Sequence, residues 1–398
     1  MHRQNILVIN AGSSSIKYQL IGADGEDRLA SGLVERIGEP LGRVVHRAAG
    51  EEFEWRMPIA DHAEGFAQML GAFAQAGVPL AELGVVAVGH RVVQGGSEFV
   101  QPTLIDDEVV ARILELAELA PLHSPGNHSA IVAARAVLPD APHVAVFDTA
   151  FHQTMPESAY TYAIDRGAAE RHGVRRYGFH GISHQVVSRR AARLLGRPLG
   201  ELKQIVLHLG NGASACAVDG GRSVDTSMGL TPLEGLVMGT RSGDIDPGVL
   251  LHLQRAGLDV GELDELLNRR SGLLGLAGSN DMRDVRAAAD SGDEAARLAL
   301  DVYARGVRHY LGAYLIELGG ADAIVFTAGV GENQPALRAE VCAGLEWFGI
   351  ELDSARNEAR AEGARVISGD ASRVAILVVP TDEESEIAEQ TRLLVGEG

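Results

Sequence analysis

Three glycine-rich turns, each following a short apolar stretch, are the strongest structural signals in this sequence. They read Asn10-Ala-Gly-Ser-Ser-Ser, His208-Leu-Gly-Asn-Gly-Ala-Ser and Gly329-Val-Gly-Glu-Asn. Glycine lets a backbone approach an anion closely, and successive N–H groups form a concave site for phosphate oxygens. The common nucleotide loops GxxxxGK[ST] and GxGxxG are absent from the sequence. The pattern therefore predicts phosphate binding at strand ends, without one of these common loops.

Two of these turns belong to similar stretches about 200 residues apart, close to half of the 398-residue chain. Leu7-Val-Ile-Asn-Ala-Gly-Ser-Ser-Ser-Ile resembles Leu207-His-Leu-Gly-Asn-Gly-Ala-Ser-Ala-Cys. Each stretch reads as an apolar strand that enters a small polar turn. The similarity predicts a duplicated chain whose halves place two such turns across one cleft.

Short β-branched runs alternate with helical periodicity along the chain, which indicates an α/β fold. The predicted strands are Ile6–Asn10, Lys17–Ile21, Val85–Val93, Val144–Phe147, Gln204–Leu209, Ala323–Thr327 and Val374–Val379. The predicted helices are Ala60–Ala76, Asp107–Leu119, His184–Leu195, Asp293–Leu318 and Pro335–Trp347.

Composition excludes several classes of protein. Hydrophobic residues make up 46% and charged residues 22%, which is typical of a globular chain. The net charge of −19 argues against a nucleic-acid or acidic-membrane partner. Two cysteines suit a reducing compartment, and no apolar run reaches the roughly 18 residues of a membrane helix. We expect a soluble, cytoplasmic protein whose N-terminus is a poor signal peptide.

Isolated basic residues mark candidate anion sites in this acidic chain. Lys17 is one of only two lysines, and Arg91 and Arg241 lie in loops or strand ends rich in small residues. Arginine suits bidentate recognition of carboxylate or phosphate, although a structural ion pair is the alternative. Asp148 and the pair Glu383–Glu384 follow apolar runs and are candidates for holding Mg²⁺ near phosphates, although the pair also suits the first turn of a helix.

Eight of the 14 histidines fall between His123 and His208. His180-Gly-Ile-Ser-His184 has the i,i+4 spacing of a zinc motif but lacks its glutamate, and Gly181 argues against a helix interior. Imidazoles that donate hydrogen bonds to phosphoryl oxygens fit this pattern better than a zinc site.

With these residues in view, the chain resembles the acetokinase family, within the superfamily of actin, sugar kinases and heat-shock ATPases. The resemblance runs from about residue 5 to 392 and rests on extended motifs. These motifs are Asn10-Ala-Gly-Ser-Ser-Ser-Ile-Lys17, Ala120-Pro-Leu-His-Ser-Pro125, Phe147-Asp-Thr-Ala-Phe-His152, Arg176-Tyr-Gly-Phe-His-Gly181, His208-Leu-Gly-Asn-Gly212, Asp225-Thr-Ser-Met-Gly229 through Asp246-Pro247, Gly329-Val-Gly-Glu-Asn333 and Pro380-Thr-Asp-Glu-Glu384.

The resemblance implies reversible phosphoryl transfer between ATP and acetate, with Mg²⁺ as cofactor and Mn²⁺ as an alternative. It assigns catalysis to Asp148, His180, Arg241 and His123. The role implied for Asp148 is to act on the metal, on an arginine or on a proton. The resemblance implies that Arg91 binds the acetate carboxylate. The residues implied around the acetate methyl are Val93, Leu122, Phe179 and Pro232. The residues implied to bind ATP are Lys17, His208, Leu209, Gly210, Asn211, Gly212, Asp281, Met282, Arg283, Gly329, Val330, Gly331, Glu332 and Asn333. The implied metal ligands are Asn10 and Glu383.

The same resemblance implies two duplicated, ribonuclease-H-like α/β domains with an active site in the cleft between them. Residues 1–150 form the first domain and 151–384 the second, and a C-terminal helix over 385–398 returns to the first. A homodimer through the second domain is expected, with Asp293–Leu318 as one candidate surface. The alternatives are propionate or butyrate kinase activity, a sugar kinase, a non-catalytic ATP-dependent switch, or a covalent phospho-enzyme through Glu383 or His180.

Overall fold

A computed structural model describes residues 4–12, 14–22, 25, 27–119 and 124–396 of the chain. The described residues form two compact units. Unit 1 comprises Met1–Phe151 together with Asp382–Gly398, and unit 2 comprises His152–Thr381. Each unit is built around its own β-sheet.

The strands are β1 (Asn5–Ala11), β2 (Ser15–Ile21), β3 (Arg28–Glu35), β4 (Gly42–Ala48), β5 (Glu51–Met57), β6 (Val85–Val92), β7 (Thr103–Leu104), β8 (His143–Phe147), β9 (Lys203–Leu209), β10 (Ala213–Asp219), β11 (Arg222–Thr226), β12 (Ala323–Thr327), β13 (Arg365–Val366) and β14 (Ala375–Val378). The helices are α1 (His62–Gln75), α2 (Asp107–Glu115), α3 (Ser124–Val137), α4 (Glu157–Tyr160), α5 (Arg166–His172), α6 (Gly181–Leu195), α7 (Pro247–Arg255), α8 (Val260–Arg269), α9 (Gly272–Ala277), α10 (Met282–Asp290), α11 (Glu294–Glu317), α12 (Ala328–Asn333), α13 (Pro335–Cys342), α14 (Ser354–Glu358) and α15 (Glu383–Gly396).

Unit 1 contains an eight-stranded sheet in the order β5-β4-β3-β2-β1-β6-β8-β7. Strands β1 to β5 pair in sequence as antiparallel neighbours, whereas β1, β6 and β8 run parallel. The C-terminal helix α15 packs on β6 and β1, and α1 packs on α3. In the core, Tyr18 packs against Phe73, and its hydroxyl lies 2.8 Å from Nδ1 of His46. The sheet thus places the ends of three parallel strands side by side.

Unit 2 contains a six-stranded sheet in the order β11-β10-β9-β12-β14-β13. Strands β9 and β10 form an antiparallel hairpin, and β9, β12 and β14 run parallel. Helices α6 and α11 pack on this sheet. The carboxyl ends of β9 and β12 therefore lie next to each other, with Thr327 in register with His208.

The two sheets repeat one topology, which confirms the predicted duplicated α/β fold. The order β3-β2-β1-β6-β8 in unit 1 corresponds to β11-β10-β9-β12-β14 in unit 2. In each case an antiparallel hairpin closes at a glycine-containing turn, and its first strand continues the sheet through parallel neighbours. The similarity between the stretches at Leu7 and Leu207 therefore reflects equivalent positions in two equivalent sheets.

Every predicted strand and helix has a counterpart, but several elements are additional. Strands β3 to β5 and helices α7 to α10 were not predicted from the sequence. The predicted helix Pro335–Trp347 ends at Cys342, two residues before Gly344, which has a positive φ of 73°. The helix predicted from His184 begins three residues earlier, at Gly181.

Helix α11 is the longest helix of unit 2 and presents one face to the core. Leu300, Val307 and Leu311 are buried, whereas Leu298 and Ile316 are exposed. No helix among the described residues combines the length and apolar character needed to cross a bilayer.

The contact between β6 and α15 yields a stability prediction. A Cβ atom at Gly89 would lie 2.5 Å from Oγ1 of Thr391 and 2.7 Å from Cγ2 of Ile387, so Gly89→Ala forces α15 away from the sheet. We expect a loss of about 1–3 kcal/mol in the free energy of unfolding, measured by urea denaturation. Gly71→Ala is the matched control, since Gly71 lies in α1 with open space around it and alanine favours the helix. Equal stabilities of the two variants would contradict this packing.

Candidate functional site

Strand ends in unit 1 bring four predicted residues into one group, here called the Arg91 cluster: Asn10, Arg91, Asp148 and Glu383. Arg91 lies near the end of β6, and Asp148 follows β8 directly. The Arg91 Nη2 atom lies 2.5 Å from Oδ2 of Asp148, and Nε donates to Oδ1 at 3.3 Å. Nη1 donates to Oδ1 of Asn10 at 3.2 Å, and Oε2 of Glu383 lies 3.6 Å from Nε.

The carboxylates of this cluster hold the guanidinium charged and oriented. Burial would lower the pKa of Arg91, but the charges of Asp148 and Glu383 outweigh it and raise that pKa. Asp148 is only 1% exposed, whereas the Arg91 side chain is 20% exposed. Each terminal nitrogen of an arginine carries two N–H groups. Nη1 and Nη2 therefore each keep one N–H that the described partners do not use, and these two groups suit a carboxylate ligand.

The oxygen atoms of Asn10 and Glu383 are the donors of this cluster that fit a hard divalent cation. Mg²⁺ prefers oxygen ligands, commonly one or two carboxylates together with phosphates and water. Asp148 differs from them because both of its oxygens contact Arg91. Among the described residues, no three His, Cys, Asp or Glu side chains are grouped as a metal site. A metal held by Asn10 and Glu383 would take its other ligands from phosphate and water, while Asp148 orients Arg91.

Other predicted residues of unit 1 have different surroundings. Lys17 forms an ion pair with Glu384 in the first turn of α15. Val93 is buried, and its backbone N–H donates to Oδ1 of Asn127 at 3.0 Å. Asn127 in turn donates from Nδ2 to the carbonyl of Ala11 at 2.6 Å, which ties the end of β1 to the residue after β6. The predicted residues Leu122 and His123 lie outside the described residues.

In unit 2, serine hydroxyls link histidine side chains at the start of α6. Oγ of Ser214 lies 2.9 Å from Nδ1 of His180 and 2.8 Å from Nε2 of His184. Oγ of Ser183 lies 2.7 Å from Nδ1 of His208. The His180 and His208 rings stack with centroids 4.2 Å apart. The two imidazoles predicted to act on phosphates therefore lie face to face.

The turn between β9 and β10 is the point on which these side chains converge. A Cβ atom at Gly212 would lie 3.4 Å from Nε2 of His180 and 3.7 Å from Nη1 of Arg241. A Cβ atom at Gly210 would lie 3.9 Å from Nε2 of His208. Glycine keeps this space open in front of three nitrogen atoms that can serve an anion.

Two residues near this turn adopt an unusual backbone. His180 caps the N-terminus of α6 with φ of 56°, and Ala328 opens α12 with φ of 64°. Side chains other than glycine rarely take this left-handed conformation, and it is found preferentially at functional sites. At His180 it directs the chain sharply into α6, so that both His180 and His184 reach Ser214.

Arg241 differs electrostatically from Arg91. Its Nη1 donates to the carbonyl of Pro232 at 3.2 Å, and no carboxylate among the described residues forms an ion pair with it. Burial lowers the pKa of Arg241 from its ordinary value. An arginine without an acidic partner, next to an open glycine turn, is suited to an anionic ligand.

Phe179, buried beside His180, accepts a hydrogen bond on its carbonyl from Nε2 of His152 at 3.0 Å.

A cavity of about 430 Å³ in unit 2 collects most of the residues predicted to bind ATP. Its lining residues are Gly210, Asn211, Gly239, Leu273, Asn280, Asp281, Met282, Arg283, Gly329, Val330, Asn333 and Gln334. Asp281 caps α10 and pairs with Arg283, with Nη2 and Oδ2 2.6 Å apart, and this contact lowers the pKa of Asp281 to about 2. Met282 is buried, which leaves little of its side chain for stacking on a base.

Five predicted residues of these glycine-rich segments do not line this cavity: His208 and Gly212, described above, and Leu209, Gly331 and Glu332. Glu332 lines a different, larger cavity together with Arg338 and Arg365, and its Oε1 accepts from the N–H of Thr381 at 3.2 Å. Gly331 is buried in α12, and the side chain of Leu209 is buried in β9. Leu209 and Gly331 are buried and Glu332 contacts Thr381, which indicates that these three residues support the backbone of the glycine-rich segments and do not face this cavity.

Several positioning residues were missed by the sequence reasoning. Ser214, Ser183 and Asn127 contact predicted site residues through hydrogen bonds that only the fold creates. Ser214 lies inside the recognised turn region, so its hydroxyl was the one available signal. Asn127 carried no comparable signal, since its partners lie far from it in sequence.

Comparisons with known proteins find similar sequences along nearly the whole chain. The model of the acetokinase family matches residues 5–389. The chain is 64% identical over 394 residues to a protein of Leifsonia xyli subsp. xyli named acetate kinase, covering 99% of each chain. It is 55% identical over 399 residues to a Streptomyces avermitilis protein of the same name, covering 100% of this chain and 98% of that protein.

Solved structures show the same fold. The crystal structure of Porphyromonas gingivalis acetate kinase superposes with a TM-score of 0.94 at 43% identity, covering 98% of this chain and 100% of that one. A propionate kinase from Francisella tularensis subsp. tularensis superposes with a TM-score of 0.92 at 39% identity, covering 98% and 99%.

The buried ion pair of the Arg91 cluster yields the second prediction. Asp148→Asn removes the anionic partner of a largely buried guanidinium, so we expect a loss of about 3 kcal/mol in the free energy of unfolding by urea denaturation. Asp107→Asn is the control, because Asp107 pairs with Arg135 at 2.9 Å on the surface and little change is expected there. A small effect for Asp148→Asn would mean that Arg91 does not depend on this carboxylate.

Proposed function

The chain belongs to the acetokinase family, and we propose that it transfers the γ-phosphoryl group of ATP reversibly to acetate, giving acetyl phosphate and ADP. The observation that carries this proposal is the guanidinium of Arg241, which has no acidic partner among the described residues, beside Nε2 of His180 at the open Gly212 turn. The side chains of Arg241 and His180 can donate hydrogen bonds at this turn to a negatively charged group. A transferring phosphoryl group carries such charge.

Acetate binds at Arg91 in this proposal. The N–H groups left on Nη1 and Nη2 form a pair that matches the two oxygens of a carboxylate. Asp148 holds the guanidinium from its other edge, so the arginine is oriented before the substrate arrives. Asp148 therefore acts as a positioning residue, which is one of the roles that the sequence left open.

The transfer itself needs charge neutralisation and alignment more than it needs a base. Acetate is ionised at neutral pH, so its oxygen attacks the γ-phosphorus without losing a proton first. The bond from this phosphorus to the bridging oxygen of ADP then breaks, and ADP leaves with that electron pair. Arg241 and His180 donate hydrogen bonds to the phosphoryl oxygens as the transition state forms.

Asn10 and Glu383 are the residues of this chain proposed to hold Mg²⁺. When bound, such an ion neutralises part of the negative charge of the phosphates. The oxygen donors of both residues suit it, and the neighbouring Arg91 limits how much negative charge they concentrate. Lys17, paired with Glu384, balances charge at the adjacent position.

The nucleotide is proposed to occupy the cavity of about 430 Å³ in unit 2. Its lining combines backbone of the glycine turns with the Asp281–Arg283 pair at the start of α10. The turn at Gly210–Gly212 serves the phosphates, because Nε2 of His180, Nη1 of Arg241 and Nε2 of His208 lie around the space that its glycines leave open. The buried Met282 supports the base through apolar contact and not through stacking.

Acetate is favoured over propionate as the substrate. Curated relatives at 53–64% identity are named acetate kinase, whereas the propionate kinase superposes at 39% identity. Val93, which is buried and whose backbone N–H is held by Asn127, is the residue of unit 1 proposed to limit the size of the substrate. Arg241, which forms no ion pair within the described part of the chain, also favours a catalyst over a non-catalytic ATP-dependent switch.

The proposal also covers the oligomeric state and the cellular location of the protein. We infer a homodimer formed through unit 2, because Ile316 of α11 is 81% exposed and Leu298 is 57% exposed, unusual for large apolar side chains. A cytoplasmic location agrees with two free, buried thiols, Cys216 and Cys342.

Formation of acyl phosphate tests the proposed reaction. Purified protein with MgATP and acetate, propionate or butyrate should yield hydroxamate in the presence of hydroxylamine, with kcat/KM for acetate at least about tenfold above propionate. Val93→Ala should narrow this ratio, while Val86→Ala, at an exposed position of the preceding strand β6, should leave it unchanged. A wild-type preference for propionate would overturn the acetate assignment, and no acyl phosphate from any of the three would overturn the proposed function.

Arg241→Ala tests the phosphoryl role. Loss of a transition-state donor should lower kcat by about 10²–10³-fold while the acetate KM changes little. Arg91→Ala should do the reverse and chiefly raise the acetate KM, and Arg193→Ala, an exposed residue of α6, should change neither constant. If Arg241→Ala raised only KM, Arg241 would be a ground-state binding residue.

A further inference from the structure

A single hydroxyl group connects the catalytic imidazole to a second, deeper imidazole. Ser214 is buried, with Oγ 2.9 Å from Nδ1 of His180 and 2.8 Å from Nε2 of His184. His184 is also buried, and its Nδ1 has no hydrogen-bond partner among the described residues. No role was assigned to either Ser214 or His184 on the basis of the family resemblance.

The hydrogen atoms available limit how this contact can be arranged. A serine hydroxyl donates one hydrogen bond, and a neutral imidazole carries one N–H. If both histidines donated to Ser214, its hydroxyl proton would have no acceptor in the described part of the chain. One imidazole therefore donates to Oγ, and Oγ donates to the other.

The surroundings of His184 decide the direction. Donation from Nδ1 of His180 to Ser214 would place the His184 proton on Nδ1, as a buried N–H without an acceptor. Such orphaned N–H groups are rare in folded proteins. Donation from Nε2 of His184 leaves only a lone pair at that position. His184 also lies in the first turn of α6, whose positive end favours the lone pair.

His184 remains neutral in this arrangement. Burial, with the neighbouring imidazoles of His152 and His208, holds the pKa of His184 well below its ordinary value. The neutral imidazole of His184 therefore carries one N–H.

We propose that His184 and Ser214 are positioning residues that hold His180 in the tautomer with its proton on Nε2. Hydrogen bonds run from Nε2 of His184 to Oγ of Ser214, and from this hydroxyl to Nδ1 of His180. The remaining proton of His180 then lies on Nε2, the atom 3.4 Å from the Cβ position of Gly212. The use of this proton toward a phosphoryl oxygen rests on the proposed function, whereas the tautomer itself does not.

The tautomer matters because a neutral His180 with its proton on Nδ1 would offer only a lone pair at the Gly212 turn. A lone pair repels phosphoryl oxygens, whereas an N–H attracts them. The relay supplies the donor without requiring a charged imidazole. Its function parallels that of other groups that fix the tautomer of a catalytic histidine through its second nitrogen.

Nuclear magnetic resonance reports the tautomer directly. In protein labelled with ¹⁵N-histidine, two-bond ¹H–¹⁵N correlations show which ring nitrogen carries the proton, and the signals missing from His180→Ala identify His180. We expect the Nε2–H form in the wild type and a mixture of tautomers in Ser214→Ala. An Nδ1–H form in the wild type, or an unchanged Nε2–H form in Ser214→Ala, would overturn the relay.

Kinetics then test whether the relay serves the reaction. Ser214→Ala should lower kcat at least about tenfold with the KM values for ATP and acetate little changed. His184→Gln, whose amide N–H can replace Nε2–H, should stay close to the wild type, whereas His184→Leu should match Ser214→Ala. Combining Ser214→Ala with His184→Leu should add little to either change alone.

The outcomes separate this inference from the proposed function. Unchanged kcat in His180→Ala would overturn the proposed role of His180, whatever its tautomer. A normal kcat in Ser214→Ala, with His180→Ala inactive, would overturn the relay as a positioning device. If His184→Leu does not fold, the comparison of Ser214→Ala with His184→Gln still decides, since equal loss in both variants would mean a purely structural effect.

Discussion

The parallel pairing of β1 with β6 and β8 is the constraint on which the candidate site of unit 1 depends. In a parallel sheet the carboxyl ends of neighbouring strands meet at one edge, so Asn10, Arg91 and Asp148 come together from distant parts of the sequence. The C-terminal helix α15 packs on the same strands and adds Glu383 to this edge. The second sheet repeats the arrangement: β9 ends at its glycine-rich turn beside the end of β12, and the glycine-rich segment after β12, predicted as a turn, forms helix α12.

Two arginines, Arg91 and Arg241, differ in the charged groups that surround them. Arg91 is surrounded by carboxylates, so its charge is balanced and its geometry is held before any ligand binds. Arg241 has no such partner among the described residues, and burial lowers its pKa. A guanidinium of the first kind is suited to recognising a substrate by shape, whereas one of the second kind gains most from an anion whose charge increases during the reaction.

Some of the elements that the sequence failed to predict lie at the surface. Strand β5 lies at the sheet edge and none of its residues is buried, and helix α7 likewise has no buried residue. Strand β4 and helix α8 bury apolar residues and were not predicted either, so exposure accounts for only part of what was missed. The parallel strands of both sheets were predicted closely, because burial on both faces demands continuous apolar sequence. The candidate site residues were predicted from extended motifs in the sequence. Two of them, Leu122 and His123, lie outside the described residues.

The sequence alone determined the α/β class, the duplication and the residue types at the two glycine turns, since these follow from apolar patterning and from glycine at defined spacings. Only the tertiary structure decided which partners those residues take. It assigned Asp148 to Arg91, directed Glu332 away from the cavity of Asp281, and joined His180 to His184 through Ser214. Hydrogen bonds between residues far apart in sequence depend on distances of a few tenths of an ångström. Such distances are set by packing and leave no periodic signal in the chain.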